Sequence, residues 1–253
     1  MGSDWPMIAL FLFYLHFSSK LGPKLMKDRP TPNIKWIMAA YNVLQIYLNG
    51  ALFFYCFWKP GFASFVVEAS CEKPHVFPRT ADEANQLHQF HRGAWYYLIT
   101  KMLDLLDTVF MVAHKKTPGF LHLYHHSTML LVVFFGFKYV RPIHTVFPSI
   151  TNNLAHVFMY TYYLICLFNP GFGQRYKGIK MAITGFQIAQ FIGIILHCVA
   201  YNYLCPVQKI IVCVLFFQNS VFLVLFSNFF IKSYLTNDKK TKPEIAAPKK
   251  KVS

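Results

Sequence analysis

Apolar residues in this chain gather into long runs separated by short polar and basic connectors. Two of the runs, 38–58 and 210–231, are long enough to cross a bilayer and hold no acidic or basic residue. With the other apolar stretches they predict seven helical spans, at 7–21, 34–58, 93–113, 120–137, 146–168, 179–204 and 210–234. The first is short, and residues 1–5 lack the positive charge of a cleavable signal peptide. Leu21–Gly22–Pro23, Thr117–Pro118–Gly119 and Asn169–Pro170–Gly171 read as helix-breaking turns. Beyond Leu235 the chain is rich in Lys, Pro and Ala without apolar periodicity, which predicts a disordered basic tail over 236–253. The expected organisation is a single all-α integral membrane domain of seven helices over 1–235, followed by that tail.

Composition excludes the main alternative. Of the 253 residues 55% are hydrophobic and only 14% are charged, too few to cover a soluble domain of this size. The net charge of +15 sits in connectors, not in a groove interleaved with exposed aromatics. It is therefore a topology signal and an attraction for anionic headgroups, not a nucleic-acid site. One set of alternate connectors holds Lys20, Lys24, Lys27, Arg29 and Lys35, then Lys115 and Lys116, then Arg175, Lys177 and Lys180, then the tail. The other set holds Lys59, Lys73, Arg79 and Arg92 over a longer loop, then Lys138 and Arg141, then Lys209. By the positive-inside rule the first set is cytosolic, so the N-terminus faces the lumen and the C-terminus the cytosol.

Six cysteines without a C-x-x-C pair argue against a zinc site or redox motif. Cys56, Cys166, Cys198 and Cys213 fall in apolar runs and read as small hydrophobes. Cys71 and Cys205 fall in connectors on the lumenal side, where a disulfide persists, and a bond between them is expected. The chain ends Lys250–Lys251–Val252–Ser253. An ordinary basic tail at a membrane surface would look similar, but the ending resembles a dilysine retrieval signal and so implies the endoplasmic reticulum.

The polar residues inside the apolar runs carry the candidate chemistry. In the third run Lys101, Asp104 and Thr108 share a helical face, with Asp107 alongside. Charges at that depth face a protein interior or a wet cavity, and an ion pair that only fixes packing is the bland alternative. The fourth run opens His122–Leu123–Tyr124–His125–His126, three imidazoles on one side of a helix. Metal ligation fits such a cluster, and so does nucleophilic or acid–base catalysis. Asn152, His156, Tyr160 and Tyr163 form a stripe on the fifth run, and Thr184, Gln187, Gln190 and His197 recur on the sixth. Interhelical hydrogen bonds or interfacial phenols would explain either stripe alone. Four polar stripes on four spans predict a shared polar cavity.

At these residues the sequence resembles the very-long-chain fatty acid elongase (ELO) family. The likeness runs in order through Lys-x-x-Glu-x-x-Asp-Thr (Lys101, Asp104, Asp107, Thr108) and His-x-x-His-His (His122, His125, His126). It continues through Asn152, His156, Met159, Tyr160, Tyr162 and Tyr163, then Thr184, Gln187 and Gln190, with Gly22–Pro23–Lys24 upstream. The resemblance implies two antiparallel three-helix units, an inverted repeat, closing around a narrow acyl tunnel with one helix outside. It implies condensation of acyl-CoA with malonyl-CoA to 3-oxoacyl-CoA, carbon dioxide and CoA, without a cofactor. The expected partners are those two substrates, membrane lipid, a second copy of the chain and other elongation-cycle enzymes. Two departures stand out. Asp104 replaces the usual Glu, so its partner must sit closer or be reached through water, and the lumenal segment before the first span is short.

No cysteine belongs to a polar constellation, which leaves imidazole as the nucleophile. His125 is the first candidate and His126 the second, with His122 in support. His156 would orient the acyl carbonyl or share the transfer, and Asn152, another histidine or Lys101 would stabilise the oxyanion. Lys101, Asp104, Asp107, Tyr160, Tyr163, Gln187, Gln190 and His197 are expected to bind substrate. A membrane di-iron desaturase or hydroxylase also uses His-x-x-His-His, but normally with several histidine boxes, and one is present. A non-enzymatic seven-helix transporter with Lys101 and the acids as an ion relay is the alternative from a different class.

Overall fold

The computed structural model describes residues 2–58, 60–71, 80–140, 143–205 and 209–236, and among them every regular element is helical. Helix α1 (Trp5–His16) runs through a π-helical turn, Phe17–Leu21, into α2 (Gly22–Met26). Then follow α3 (Lys35–Trp58), the short α4 (Phe62–Ser70), α5 (Ala81–Leu103) and α6 (Leu105–Ala113). Helix α7 (Phe120–Phe135) ends in a π-helical turn, Gly136–Val140, and a 3₁₀ turn at Ile143–Thr145 leads into α8 (Val146–Phe168). The one-turn α9 (Phe172–Arg175), α10 (Lys177–Leu204) and α11 (Lys209–Phe230) complete the order, with a last π-helical turn at Ile231–Leu235. Each of the seven expected stretches lies on helix except at Ile34 and Asp104. Among the described residues four stretches are long and apolar enough to cross a membrane: Lys35–Trp58, Phe120–Val140, Lys177–Leu204 and Lys209–Leu235. The chain is a multi-pass membrane protein. The third and fifth expected spans are diluted by the polar residues of the site described below.

Three local expectations need correction. Leu21–Gly22–Pro23 is not a turn, because helix continues through it and Gly22 is buried. Pro23 is tolerated in the first turn of α2, where its missing N–H has little to lose, and the Gly22 amide donates to Phe17 O across the π-helical turn. The third helix starts at Ala81, not at 93, because Thr80 caps it. Its Oγ1 accepts the Glu83 amide at 3.1 Å, and Asp82 and Glu83 suit the positive end of the helix. That helix is also broken at Asp104, which ends α5 and opens α6. The tail beyond 236, with Lys250 and Lys251, lies outside the described residues, as do Lys59, Lys73, Arg79 and Arg141.

Contacts sort the connectors into two ends. At the basic end Gly22 meets Val112, Lys115 Nζ donates to Lys27 O at 3.3 Å, Trp36 packs on Phe168, and Thr184 meets Tyr234. At the other end Asp4 accepts hydrogen bonds from Lys138 and Tyr139, which hold its carboxyl below the usual carboxylate range. There too a disulfide joins Cys71, at the C-cap of α4, to Cys205, at the C-cap of α10, with Cα atoms 4.7 Å apart. Cys56, Cys166, Cys198 and Cys213 are free thiols. Between the two ends α3 packs along α8, and α10 along α11.

Gly22 is where the first helical stretch touches α6. A Cβ there would stand 2.7 Å from Val112 Cγ1 and 2.9 Å from Phe17 O, so a methyl group has no room. Gly22→Ala should destabilise the fold by about 1–3 kcal/mol and lower the thermal unfolding midpoint in detergent. Gly119→Ala, whose Cβ would meet nothing within 4 Å, should leave the midpoint near that of the native chain.

Candidate active site

The break at Asp104 brings two charged side chains to the centre of the bundle. Lys101 and Asp104 are each 3% exposed, and Lys101 Nζ donates to Asp104 Oδ2 at 2.8 Å. Burying such a pair is costly unless the remaining lone pairs and protons find partners. Here they do. Lys101 also donates to Asn152 Oδ1 at 2.8 Å, and Gln45 Nε2 donates to Asp104 Oδ1 at 2.8 Å. The shorter Asp side chain is therefore reached directly, without an intervening water.

Tyr160, fully buried on α8, joins the second acid to this pair. Its hydroxyl donates to Asp107 Oδ2 at 2.7 Å and makes a longer contact of 3.1 Å with Asp104 Oδ1. Tyr41 O–H lies 3.2 Å from the Tyr160 hydroxyl and accepts from Gln45 Nε2 at 3.0 Å. His156, one turn before Tyr160, is 4% exposed and sets Nδ1 3.6 Å from Asp104 Oδ2. That nitrogen has no hydrogen-bond partner among the described residues.

Asn152 Oδ1 accepts from both Lys101 and Tyr97, the latter at 3.1 Å. Two donors on one oxygen fix the amide's orientation, so its N–H₂ group is the end left to donate elsewhere. Asn152 also lines an apolar cavity of about 130 Å³ that runs between α3, α5, α7, α8, α10 and α11 towards the disulfide end. Asn153, Gln190, Gln218 and Asn219 line it too.

The three clustered imidazoles divide by what they touch. His122 Nε2 lies 2.8 Å from Thr108 Oγ1, which is itself 2.8 Å from the Tyr14 hydroxyl. Its ring stacks on His126, with centroids 4.2 Å apart. His125 turns to α11, its ring 4.8 Å from Phe222 and 5.9 Å from Phe226, and 5.6 Å from His126 on its own helix. Among the described residues no group of three or more His, Cys, Asp or Glu side chains is arranged to hold a metal ion.

Comparison with known proteins decides the family. The profile of the ELO: GNS1/SUR4 family matches residues 1–242. This chain belongs to the ELO family. A very long chain fatty acid elongase of Aedes aegypti is 32% identical over 240 residues, 92% of this chain and 64% of that protein. Very long chain fatty acid elongase 4 of Homo sapiens is 33% identical over 239 residues, 92% of this chain and 73% of its own length. Very long chain fatty acid elongase 7 of Drosophila melanogaster is 29% identical over 268 residues, 98% of this chain and 74% of that one. The chain thus spans a little under two thirds of the mosquito relative and about three quarters of the other two.

Within this ELO chain the structure gathers Lys101, Asp104, Asp107, Asn152, His156 and Tyr160 into one network, with the three clustered histidines nearby. Other expected site residues stand further off. Tyr163 is 43% exposed and packs edge-on to Tyr160. Gln187 is half-buried, and Gln190 lines the cavity. His197 lies near the disulfide end, stacked between Phe147 and Tyr201. Sequence reasoning passed over Tyr41, Gln45 and Asn49, buried on α3 and spaced by fours. That spacing was a readable stripe inside an apolar run. Gln218 and Asn219 on α11 were missed as well, and so was Tyr14.

Proposed function

We propose that this protein condenses a long-chain fatty acyl-CoA with malonyl-CoA, giving 3-oxoacyl-CoA, carbon dioxide and CoA. The observation that carries this reading is a buried, hydrogen-bonded ion pair beside four histidines, joined through Asn152 to an apolar cavity, in a chain of the ELO family. A transport relay does not require three adjacent imidazoles beside such a cavity, whereas acyl transfer uses both. In this reading the chain crosses the endoplasmic reticulum membrane seven times, with its basic end in the cytosol, where those cations attract the phosphates of CoA.

The chemistry follows from groups already placed. A neutral His125 ring nitrogen attacks the acyl thioester carbon. The C–S bond breaks, CoA leaves as the thiol with the ring's other proton, and an acyl-imidazole remains. Its surroundings, Phe222 and Phe226, keep water from the adduct. His122, held by Thr108, supports the cluster rather than attacking; His126 is the second candidate nucleophile. Malonyl-CoA then loses carbon dioxide, the enolate carbon attacks the acyl carbon, and the C–N bond breaks as the departing ring nitrogen takes up one proton from solvent, which restores neutral histidine. Asn152, its oxygen held by Lys101 and Tyr97, offers its N–H₂ group to the developing oxyanion.

The basic test is purified protein with labelled malonyl-CoA and a panel of acyl-CoA lengths, read as labelled 3-oxoacyl-CoA. No CoA-dependent product would return the protein to the transporter reading, and stoichiometric iron with loss of hydrogen from the acyl chain would return it to the desaturase. Asn152→Ala should lower malonyl-dependent product by about 10²–10³-fold while sparing much of the CoA released from acyl-CoA alone. Equal loss of both half-reactions would remove the oxyanion role.

A further inference from the structure

We infer that Phe62, in the first turn of α4, is the length stop of the acyl cavity, and that α4 and the Cys71–Cys205 bond hold it in place. This rests on the condensation reading above. The cavity that begins at Asn152 ends against Cys56, Phe62, Phe90 and Val146, which line it and also form one buried apolar cluster. Phe62 is the most enclosed of the four, at 2% exposure, with its ring 5.9 Å from that of Tyr55. Asn152 and Val146, which both line the cavity, are six positions apart along α8, a rise of about 9 Å.

Helix α4 does not read as a span, since its nine residues cover about 13 Å. It turns back from the end of α3 and packs against the 3₁₀ turn at Ile143–Thr145. Its entry is set by Gly61, whose φ of +74° disfavours other residues, and by Gln86 Nε2, which donates to Pro60 O at 3.3 Å. Its exit is fixed by the disulfide to the end of α10. A short helix secured at both ends presents one bulky ring to the far end of an apolar cavity. An acyl chain that reaches Phe62 can lengthen only by displacing a packed ring, and overpacking of this kind is penalised. The product that fills the cavity is then refused as the next substrate.

The test uses the full chain in lipid nanodiscs, labelled malonyl-CoA and saturated acyl-CoAs increasing by two carbons. The readout is the ratio of kcat/KM between successive lengths within each variant, which is insensitive to how much active protein each preparation holds. The native chain should show one break, a drop of about tenfold or more between adjacent lengths. Phe62→Ala should move that break to longer acyl-CoA by at least one step. Phe62→Trp should move it to shorter acyl-CoA, which keeps the test decisive if the alanine variant fails to fold. Turnover with the break at the same length in both variants overturns the length stop alone. No turnover by the native chain at any length overturns the condensation reading and this inference with it.

Discussion

Lys101→Met is expected to destabilise the protein severely and abolish turnover. The substitution leaves the Asp104 carboxylate buried, with the Gln45 amide and the Tyr160 hydroxyl but no cation. Removing one partner of a buried ion pair costs about 3–5 kcal/mol, set against a whole-fold stability of about 5–15 kcal/mol. Asn152 would also lose one of the two donors that fix its amide. Asp104→Leu should be comparably destabilising, because it strands the ammonium. The double variant Lys101→Met with Asp104→Leu removes both charges, so it should recover most of the thermal midpoint in detergent while remaining inactive. Stability is then separated from function. A double variant as unstable as either single one would show that packing volume, not charge pairing, is what the site requires. A stable, active Lys101→Met protein would place the ion pair outside the chemistry.

Much of this site was legible because apolar sequence is a quiet background. Against it, Lys101, Asp104, the three clustered histidines and the stripe from Asn152 to Tyr160 stand out by residue type and helical spacing. What the sequence hid has physical causes. Gln45 and Asn49 are neutral and sit in a run without charges, so they read as tolerated polar residues. Only the tertiary pairing of α3 with α5 and α8 shows that Gln45 completes the shell of Asp104. The break at Asp104 is invisible to periodicity, which continues across it. The early start of α5 was readable in Thr80 followed by Glu83, a capping pair, but the polar turns after it masked the helix from an apolar scan. Gly22–Pro23 misled in the opposite sense, since a π-helical turn absorbs what usually ends a helix. The apolar cavity is lined in part by Phe62 of α4, an element distant in sequence from the histidines.

His125→Ala should abolish release of CoA from acyl-CoA offered without malonyl-CoA, by several orders of magnitude, with little change in the thermal midpoint. The reasons are positional. His122 is engaged by Thr108 and His156 faces Asp104, whereas the His125 ring lies among the aromatic side chains of α11. Removing a nucleophile stops the first half-reaction, whereas removing a supporting group only slows it. His126→Ala should therefore retain measurable CoA release; if it alone loses that release, the nucleophile is His126. Both readings share a covalent acyl-enzyme, and a direct ternary-complex reaction with histidines as acid and base does not. The measurement that separates them most directly is a single-turnover reaction of native protein with acyl-CoA alone, following free CoA and intact protein mass together. One burst of CoA per active site is expected, matched by an added acyl mass that disappears when malonyl-CoA is supplied. No CoA release before malonyl-CoA arrives, with no adduct on the protein, would contradict a covalent acyl-enzyme.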